Sequence, residues 1–390
     1  MSLQAIATLF ASCPRGLENA LAAELAELGA GAVQTVAGGA AFEGGAEVIY
    51  RANLQSRIAT RVLLRLFTVP YRSEEDIYRS TYEFDWPRQF DVERSIRVYL
   101  TAQRCPLKSL DFLTLRIKDA VCDRFRSAVG SRPDVDTRAP AVRIHAFLDA
   151  TRFTLYLDTS GEPLFKRGAR AAQGEAPIKE NLAAGILKLA GWQPGTALLD
   201  PMCGGGTFLV EAAQIALDIA PGIARGFGFE RLKSFDAALW HKLRAEAEAR
   251  RKPAVPLQIY GSELYGDTLK LAHANLDAAG LAGTVQLKQA NALEISAPAE
   301  TGVLITNPPY GERMGEQAEL AAFYPKFGDA LKQKFAGWNC YILSADMNLP
   351  KLIKLQVSKR IPLYNGALEC RLFEYRIVAG SMRVPKPAKA

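Results

Sequence analysis

The stretch VLITNPPYGERMG, residues 303–315, ends an apolar and β-branched run on Asn307-Pro308-Pro309-Tyr310. Pro308 and Pro309 have no N–H to give, so they cannot prolong a central strand. Each also disfavours helical geometry at the residue before it. The corner is therefore extended and stiff. Two acceptors, the Asn307 side-chain oxygen and the Pro308 carbonyl, can then converge on one point. Such a pair suits an exocyclic –NH2, which has two hydrogens to donate. Tyr310 can stack on the flat ring that bears the amine. Taken alone, the motif reads equally well as a plain Pro-Pro turn.

Three earlier stretches have the same form, a strand-like run closing on a polar residue. In LLDPMCGGGTFLVEAA (198–213), Asp200 closes the run and Gly204, Gly205 and Gly206 precede a helix. Glycine lets the backbone approach a ligand closely, and the helix start behind it offers free N–H groups. The loop has neither the Lys-Ser/Thr of a P-loop nor the G-x-G-x-x-G of a dinucleotide site, so it faces something other than a polyphosphate. In IYGSE, Glu263 can accept from two ribose hydroxyls. In KQANALE, Asn291 carries both a donor and an acceptor, as an adenine edge requires. Each of the two could be a turn or cap residue. Their order after Asp200, each at a strand end, favours a ligand role, because open α/β sheets bind ligands beyond the carboxyl ends of their strands.

The elements that must position these residues alternate strand with helix from residue 179 onward, the order of a parallel sheet covered on both faces. Asn365-Gly366 between strand-like runs marks a hairpin near the end of that stretch. The first 160 residues read differently. A strand over 3–12, a helix stopping at Gly29, two short strands about a Gly-Gly turn, a strand over 95–102, a helix over 110–129 and a hairpin about Asp149-Ala150 make an α+β module. Residues 161–179, rich in Gly, Pro and charge, read as a linker, and 241–253 as a solvated helix with a frayed end.

Composition bounds the rest. The chain has 390 residues, too many for one ordinary core, and a net charge of +7. Residues 51–170 hold 22 Lys and Arg against 15 Asp and Glu, whereas residues 1–50 hold one against five. An arginine-rich module suits a phosphate-rich partner, or is simply a solvated basic surface. No apolar run approaches the roughly 18 residues of a membrane helix. The six cysteines are scattered with no C-x-x-C pair, and there are three histidines. That argues against a metal site and a disulfide framework, and for a reducing cytoplasm.

DPMCGGGT followed about 100 residues later by NPPYGERMG resembles a class I, S-adenosylmethionine-dependent amino-methyltransferase. With LFASCPRGLENALAAEL, LDTSGEPLFKRGAR, APIKENLAAGILKLAGW and NGALECRLFEY, nearly the whole chain resembles the bacterial 23S ribosomal RNA guanine-N2 methyltransferases. The family often has His and Tyr where this chain has Phe165 and Ala169, and Asp where it has Asn291.

The resemblance implies a ferredoxin-like element over 1–44, a THUMP RNA-binding domain over 45–158, a linker over 159–178 and a Rossmann-like, seven-stranded methyltransferase domain over 179–384. It implies S-adenosylmethionine as cofactor, held by Asp200, Met202, Cys203, Gly204, Gly206, Thr207, Glu263, Asn291 and Asn307. It implies catalysis by Asn307, Pro308, Pro309 and Tyr310, and RNA contacts from Arg313, Lys166 and Arg167. Lys179, Glu180 and Asn181 would begin a helix flanking the cofactor. The expected partner is 23S rRNA or a large-subunit assembly intermediate, with no membrane, no metal and the oligomeric state open. The same NPPY corner serves adenine-N6 methyltransferases and enzymes that methylate a protein glutamine. A non-catalytic RNA-binding assembly factor is a further alternative.

Overall fold

A computed structural model describes residues 6–168, 178–309 and 316–378. In chain order the first part gives strand β1 (Ala7–Ser12), helix α1 (Glu18–Glu27), β2 (Gly31–Val36), β3 (Gly39–Gly44), α2 (Ala46–Gln55), β4 (Arg61–Pro70), α3 (Glu74–Glu83), β5 (Ile96–Ala102), α4 (Leu110–Val129), β6 (Val142–Leu148) and β7 (Arg152–Asp158). The second part gives α5 (Glu180–Leu189), β8 (Leu198–Asp200), α6 (Thr207–Ala216), α7 (Ala237–Ala249), β9 (Ile259–Glu263), α8 (Gly266–Ala278), β10 (Gln286–Gln289), β11 (Gly302–Thr306), α9 (Glu316–Lys334), β12 (Trp338–Ser344), α10 (Leu349–Leu352), β13 (Lys359–Asn365) and β14 (Leu368–Arg376). Packing divides the chain into two units. One holds Met1–Cys13, Leu21–Lys166 and Ala220–Ala249, and the other Pro14–Ala20, Arg167–Ile219 and Arg250–Ala390.

The first unit is built on a seven-stranded sheet in the order β2-β3-β1-β4-β7-β6-β5. Its neighbours run antiparallel except β5 and β6, which are parallel. A parallel pair needs a crossover, and α4 supplies it. Ser109 caps α4 by accepting from the Phe112 N–H at 3.2 Å, and Gly130 ends it at φ +77°. Helix α3 starts where it does because Ser73 and Asp76 form a reciprocal capping box.

Two sequence expectations change here. Residues 159–166 are packed structure, not linker. Thr159 and Ser160 are fully buried, and both hydrogen-bond the side chain of Asn53 on α2, at 2.9 and 2.6 Å. Arg61 and His145 converge on the buried carboxylate of Asp158 and fix the end of β7. Helix α7 is not a solvated helix. It begins four residues before 241, buries Trp240, Leu243 and Ala247, and belongs to the first unit. An aromatic cluster holds it there: the Tyr50 ring lies 4.4 Å from Phe229, and Phe229 lies 5.0 Å from Trp240. The Tyr50 hydroxyl accepts from the Asp236 N–H at 2.9 Å. Burying such rings outweighs the charged residues on the other side of α7.

The second unit is a Rossmann-like sheet in the order β10-β9-β8-β11-β12-β14-β13. All strand pairs are parallel except those made by β14. Strand order reverses beside β8, between β9 and β11. Strand β11 is buried at all five positions, as a strand covered on both faces must be. Phe327 and Leu331 of α9 pack with Leu304, Ile342 and Phe373 in the core on one side. Helices α5, α6 and α8 pack together elsewhere in the unit.

Gly328 lies in the interior of α9 against the residue that follows α10. A Cβ there would stand 2.0 Å from the Ile353 carbonyl oxygen. Gly→Ala in an exposed helix interior stabilises by about 1 kcal/mol. Here the clash with backbone overrides that gain. Gly328→Ala should destabilise the protein by about 1–3 kcal/mol, seen as a lower urea midpoint.

Candidate active site

The carboxyl ends of β10, β9, β8 and β11 lie side by side on one edge of the second sheet, and each carries one of the marked residues. Asp200 ends β8, Glu263 ends β9, Asn291 follows β10 by two residues and Asn307 follows β11. The reversal of strand order falls in this row, where open α/β sheets leave a crevice.

Asp200 is 2% exposed. Its carboxyl is pushed up to about 7, first by burial and then by the charge of Glu263. The Thr306 hydroxyl and the Met202 N–H, 3.2 Å from Oδ1, oppose that shift. Glu263 is also buried. Its Oε2 accepts from the Gly204 N–H at 3.1 Å, and its Oε1 accepts from the N–H groups of Leu264 and Tyr265 at 2.9 and 3.3 Å. Among the described residues neither carboxylate is in an ion pair. Two buried acids at one edge with no cation between them are costly unless a cationic or hydroxyl-bearing ligand completes the site.

The loop between β8 and α6 is held from three directions. The Cys203 N–H donates to the Ser262 carbonyl at 2.9 Å, and the Ser262 hydroxyl donates back to the Pro201 carbonyl at 3.0 Å. Asn275 on α8 donates to the Gly205 carbonyl at 2.9 Å. Gly204 and Gly206 have φ of +52° and +78°. A Cβ on Gly206 would touch Ala272 at 3.4 Å, whereas one on Gly204 would meet nothing within 4 Å. The Gly204 side of the loop therefore faces open space, and Thr207 starts α6 directly behind it. Met202 is half-buried against the core. Cys203 is 6% exposed, and burial together with Asp200 and Glu263 pushes its thiol well above the ordinary range. It contributes backbone and bulk, not a thiolate nucleophile.

Asn291 is half-buried, and its Oδ1 accepts from the Leu293 N–H at 3.0 Å. At the end of β11, Thr306 is fully buried, Asn307 half-buried, Pro308 buried and Pro309 exposed. Tyr310 and Arg313 lie outside the described residues. Lys166 is exposed and paired with Glu162 at 2.8 Å within the first unit. Arg167 overturns its expected role as an RNA contact. It is 8% exposed, and its guanidinium forks onto both oxygens of the fully buried Glu211, at 3.1 and 3.3 Å. A guanidinium used to neutralise a buried carboxylate in this way has no free face for phosphate. The sequence reading passed over Thr306, Ser262, Asn275 and Tyr265. Thr306 had a signal, a hydroxyl closing an apolar run. Tyr265 stands 68% exposed beside Glu263, a ring with no packing role.

A family model described as the RMKL-like methyltransferase domain matches residues 167–374, just over half of the chain. The chain belongs to the RMKL-like methyltransferase family. Models of an RlmL ferredoxin-like domain and a THUMP domain match residues 8–63 and 71–158. The protein slr0064 of Synechocystis sp., named as an RNA methyltransferase, is 39% identical over 94% of this chain and 96% of its own. The ribosomal RNA large subunit methyltransferase K/L of Shewanella loihica is 40% identical over 97% of this chain, which spans 54% of that relative's length. The crystal structure of SMU.472, described as a methyltransferase in complex with SAH, superimposes with a TM-score of 0.87. It is 30% identical and covers 96% of this chain and 99% of its own.

The Asp200 carboxyl holds its proton to about pH 7 when folded but only to about 3.8 in a free chain. Its protonation thus favours the fold fully below about pH 4, and the benefit is lost as pH rises to 7. Three pH units correspond to about 4 kcal/mol. Asp200→Asn should remove this dependence. Relative to wild type, the ligand-free variant should gain up to about that much stability between pH 4 and 8, measured by urea unfolding.

Proposed function

We propose that the protein is an S-adenosylmethionine-dependent RNA methyltransferase that modifies the exocyclic N2 of a guanine in large-subunit ribosomal RNA. The observation that carries this reading is the place of the Asn307-Pro308-Pro309 corner, directly after β11, in one row with the buried acids Asp200 and Glu263 that end β8 and β9. The names of slr0064 and of the K/L enzymes support RNA, and specifically large-subunit rRNA, as the substrate. The SAH bound to SMU.472 supports the cofactor.

The residues present fit that cofactor. Asp200 offers a buried, unpaired carboxylate to an α-ammonium. Glu263 accepts three backbone N–H groups, and a carboxylate has about four lone-pair sites, so it keeps capacity for ribose hydroxyls. Tyr265 offers an exposed ring and Asn291 an amide to an adenine. The open side of Gly204 lets a ligand approach the backbone. When bound, the cofactor supplies a methyl group on a positively charged sulfur, which a nitrogen displaces in line.

The chain's own part is positioning and electrostatics. An aromatic amine has its lone pair drawn into the ring. Acceptors on Asn307 and Pro308 hold the two N–H bonds and favour the pyramidal nitrogen whose lone pair faces the methyl. Pro308 and Pro309 keep these acceptors from relaxing. The target base leaves its stack to enter, which is cheapest in an RNA loop or bulge.

Asn307→Ala should lower kcat at least about 100-fold, roughly 3 kcal/mol, by analogy with removing one oriented oxyanion donor. Incubation with labelled methyl donor and unmodified 23S rRNA should put the label in N2-methylguanosine. Label in N6-methyladenosine, in DNA or in protein would overturn the substrate assignment. Wild-type turnover by Asn307→Ala would overturn the mechanism. Cofactor affinity should rise with pH up to about 7, as Asp200 loses its proton, and calorimetry at pH 6 and 8 reads this directly.

A further inference from the structure

Within the first unit, a cleft of about 500 Å3 opens where the starts of β5 and β6, the segment after β7 and residues 226–231 meet. Three guanidinium groups line it: Arg94, Arg143 and Arg231. Two acids line it as well, but both are engaged. Glu162 pairs with Arg143 and with Lys166, and Glu230 accepts the Phe227 N–H at 2.7 Å. Arg94 is half-buried and Arg231 exposed, and among the described residues neither side chain has an ion-pair or hydrogen-bond partner. The rest of the wall is glycine, alanine and proline together with Phe227, whose ring is buried against Phe229 and Trp240. Arg225 makes that wall rigid. Its guanidinium donates to the carbonyls of Ser160, Glu162, Pro163 and Lys166 at 2.6 to 3.2 Å.

We propose that this cleft seats a phosphodiester of the RNA substrate's backbone, with Arg94 and Arg231 as the free donors and Arg143 as the fixed cation. The inference rests on the RNA methyltransferase reading above. Guanidinium forks match phosphate oxygens in geometry and charge. A wall whose one ring, Phe227, is buried and which offers no side-chain amide suits backbone contact rather than base reading, so the cleft sets position and not sequence. Its chemistry also requires the segment 220–249 to be where it is. Arg231 comes from that segment and Arg94 and Arg143 from the basic module, so the cleft exists only because α7 and the turn before it pack into the first unit.

The test uses the full-length protein and unmodified 23S rRNA transcript in filter binding across a salt series. The double variant Arg94→Gln/Arg231→Gln should bind at least tenfold more weakly at moderate salt. The slope of log K against log salt should fall by one to two, since each phosphate contact contributes about 0.7–0.9. Thermal midpoint and S-adenosylmethionine affinity should match wild type, and Arg94→Lys/Arg231→Lys should recover most of the slope. Unchanged RNA affinity and slope in the Gln variant would overturn the cleft alone. A wild-type protein that neither binds nor methylates RNA would overturn the functional reading and the cleft with it.

Discussion

Two buried carboxylates, with no ion pair among the described residues, govern the second unit. Asp200 and Glu263 end neighbouring strands, both are buried, and each is steadied by backbone N–H groups. A fold selected for stability alone would pair or remove them, because a buried unpaired charge costs several kcal/mol. The surrounding architecture accepts that cost and holds the acids still. Ser262, Asn275 and the Cys203 amide tie the glycine loop to β9 and α8, so the acids and the loop move as one body. Burial raises the Asp200 carboxyl to about 7, which moderates the cost.

The same logic explains the stiffness of the opposite wall. Strand β11 is buried throughout and paired on both sides, with β8 and β12. Pro308 and Pro309 follow at once, and each disfavours helical geometry at the residue before it. Asn307 and Pro308 are therefore positioned by their place directly after a central strand.

The first unit solves a different problem. Its sheet is largely antiparallel, and its α2 side is completed by an aromatic helix from much later in the chain. Tyr50, Phe229 and Trp240 bury together, and the backbone beside them turns through Gly226 and Gly228 close to the end of β7. Gly228 has no room for a side chain, because a Cβ would lie 2.7 Å from the Asp158 carbonyl oxygen. Packing of rings and close approach of backbone thus bring residues 226–231 into an arginine cleft with segments more than 60 residues earlier in the chain.

How much of this could be read beforehand depends on the range of the forces involved. The alternation of strand and helix, the helix over 110–129, the Asn365-Gly366 hairpin and the polar residues at four strand ends are all local patterns. They follow from side-chain period and turn chemistry within a few residues, so the order of residues alone determined them. Three matters were decided only in three dimensions. Arg167 looks like a basic linker residue until Glu211, 44 residues away, is found buried against it. Helix α7 looks solvated until Tyr50 and Phe229 cover its apolar face. Asp200 and Glu263 look like ordinary strand-end acids until the sheet buries them side by side, with no ion pair to either among the described residues. Each depends on desolvation by distant partners, and burial is a property of the packed chain, not of any stretch within it.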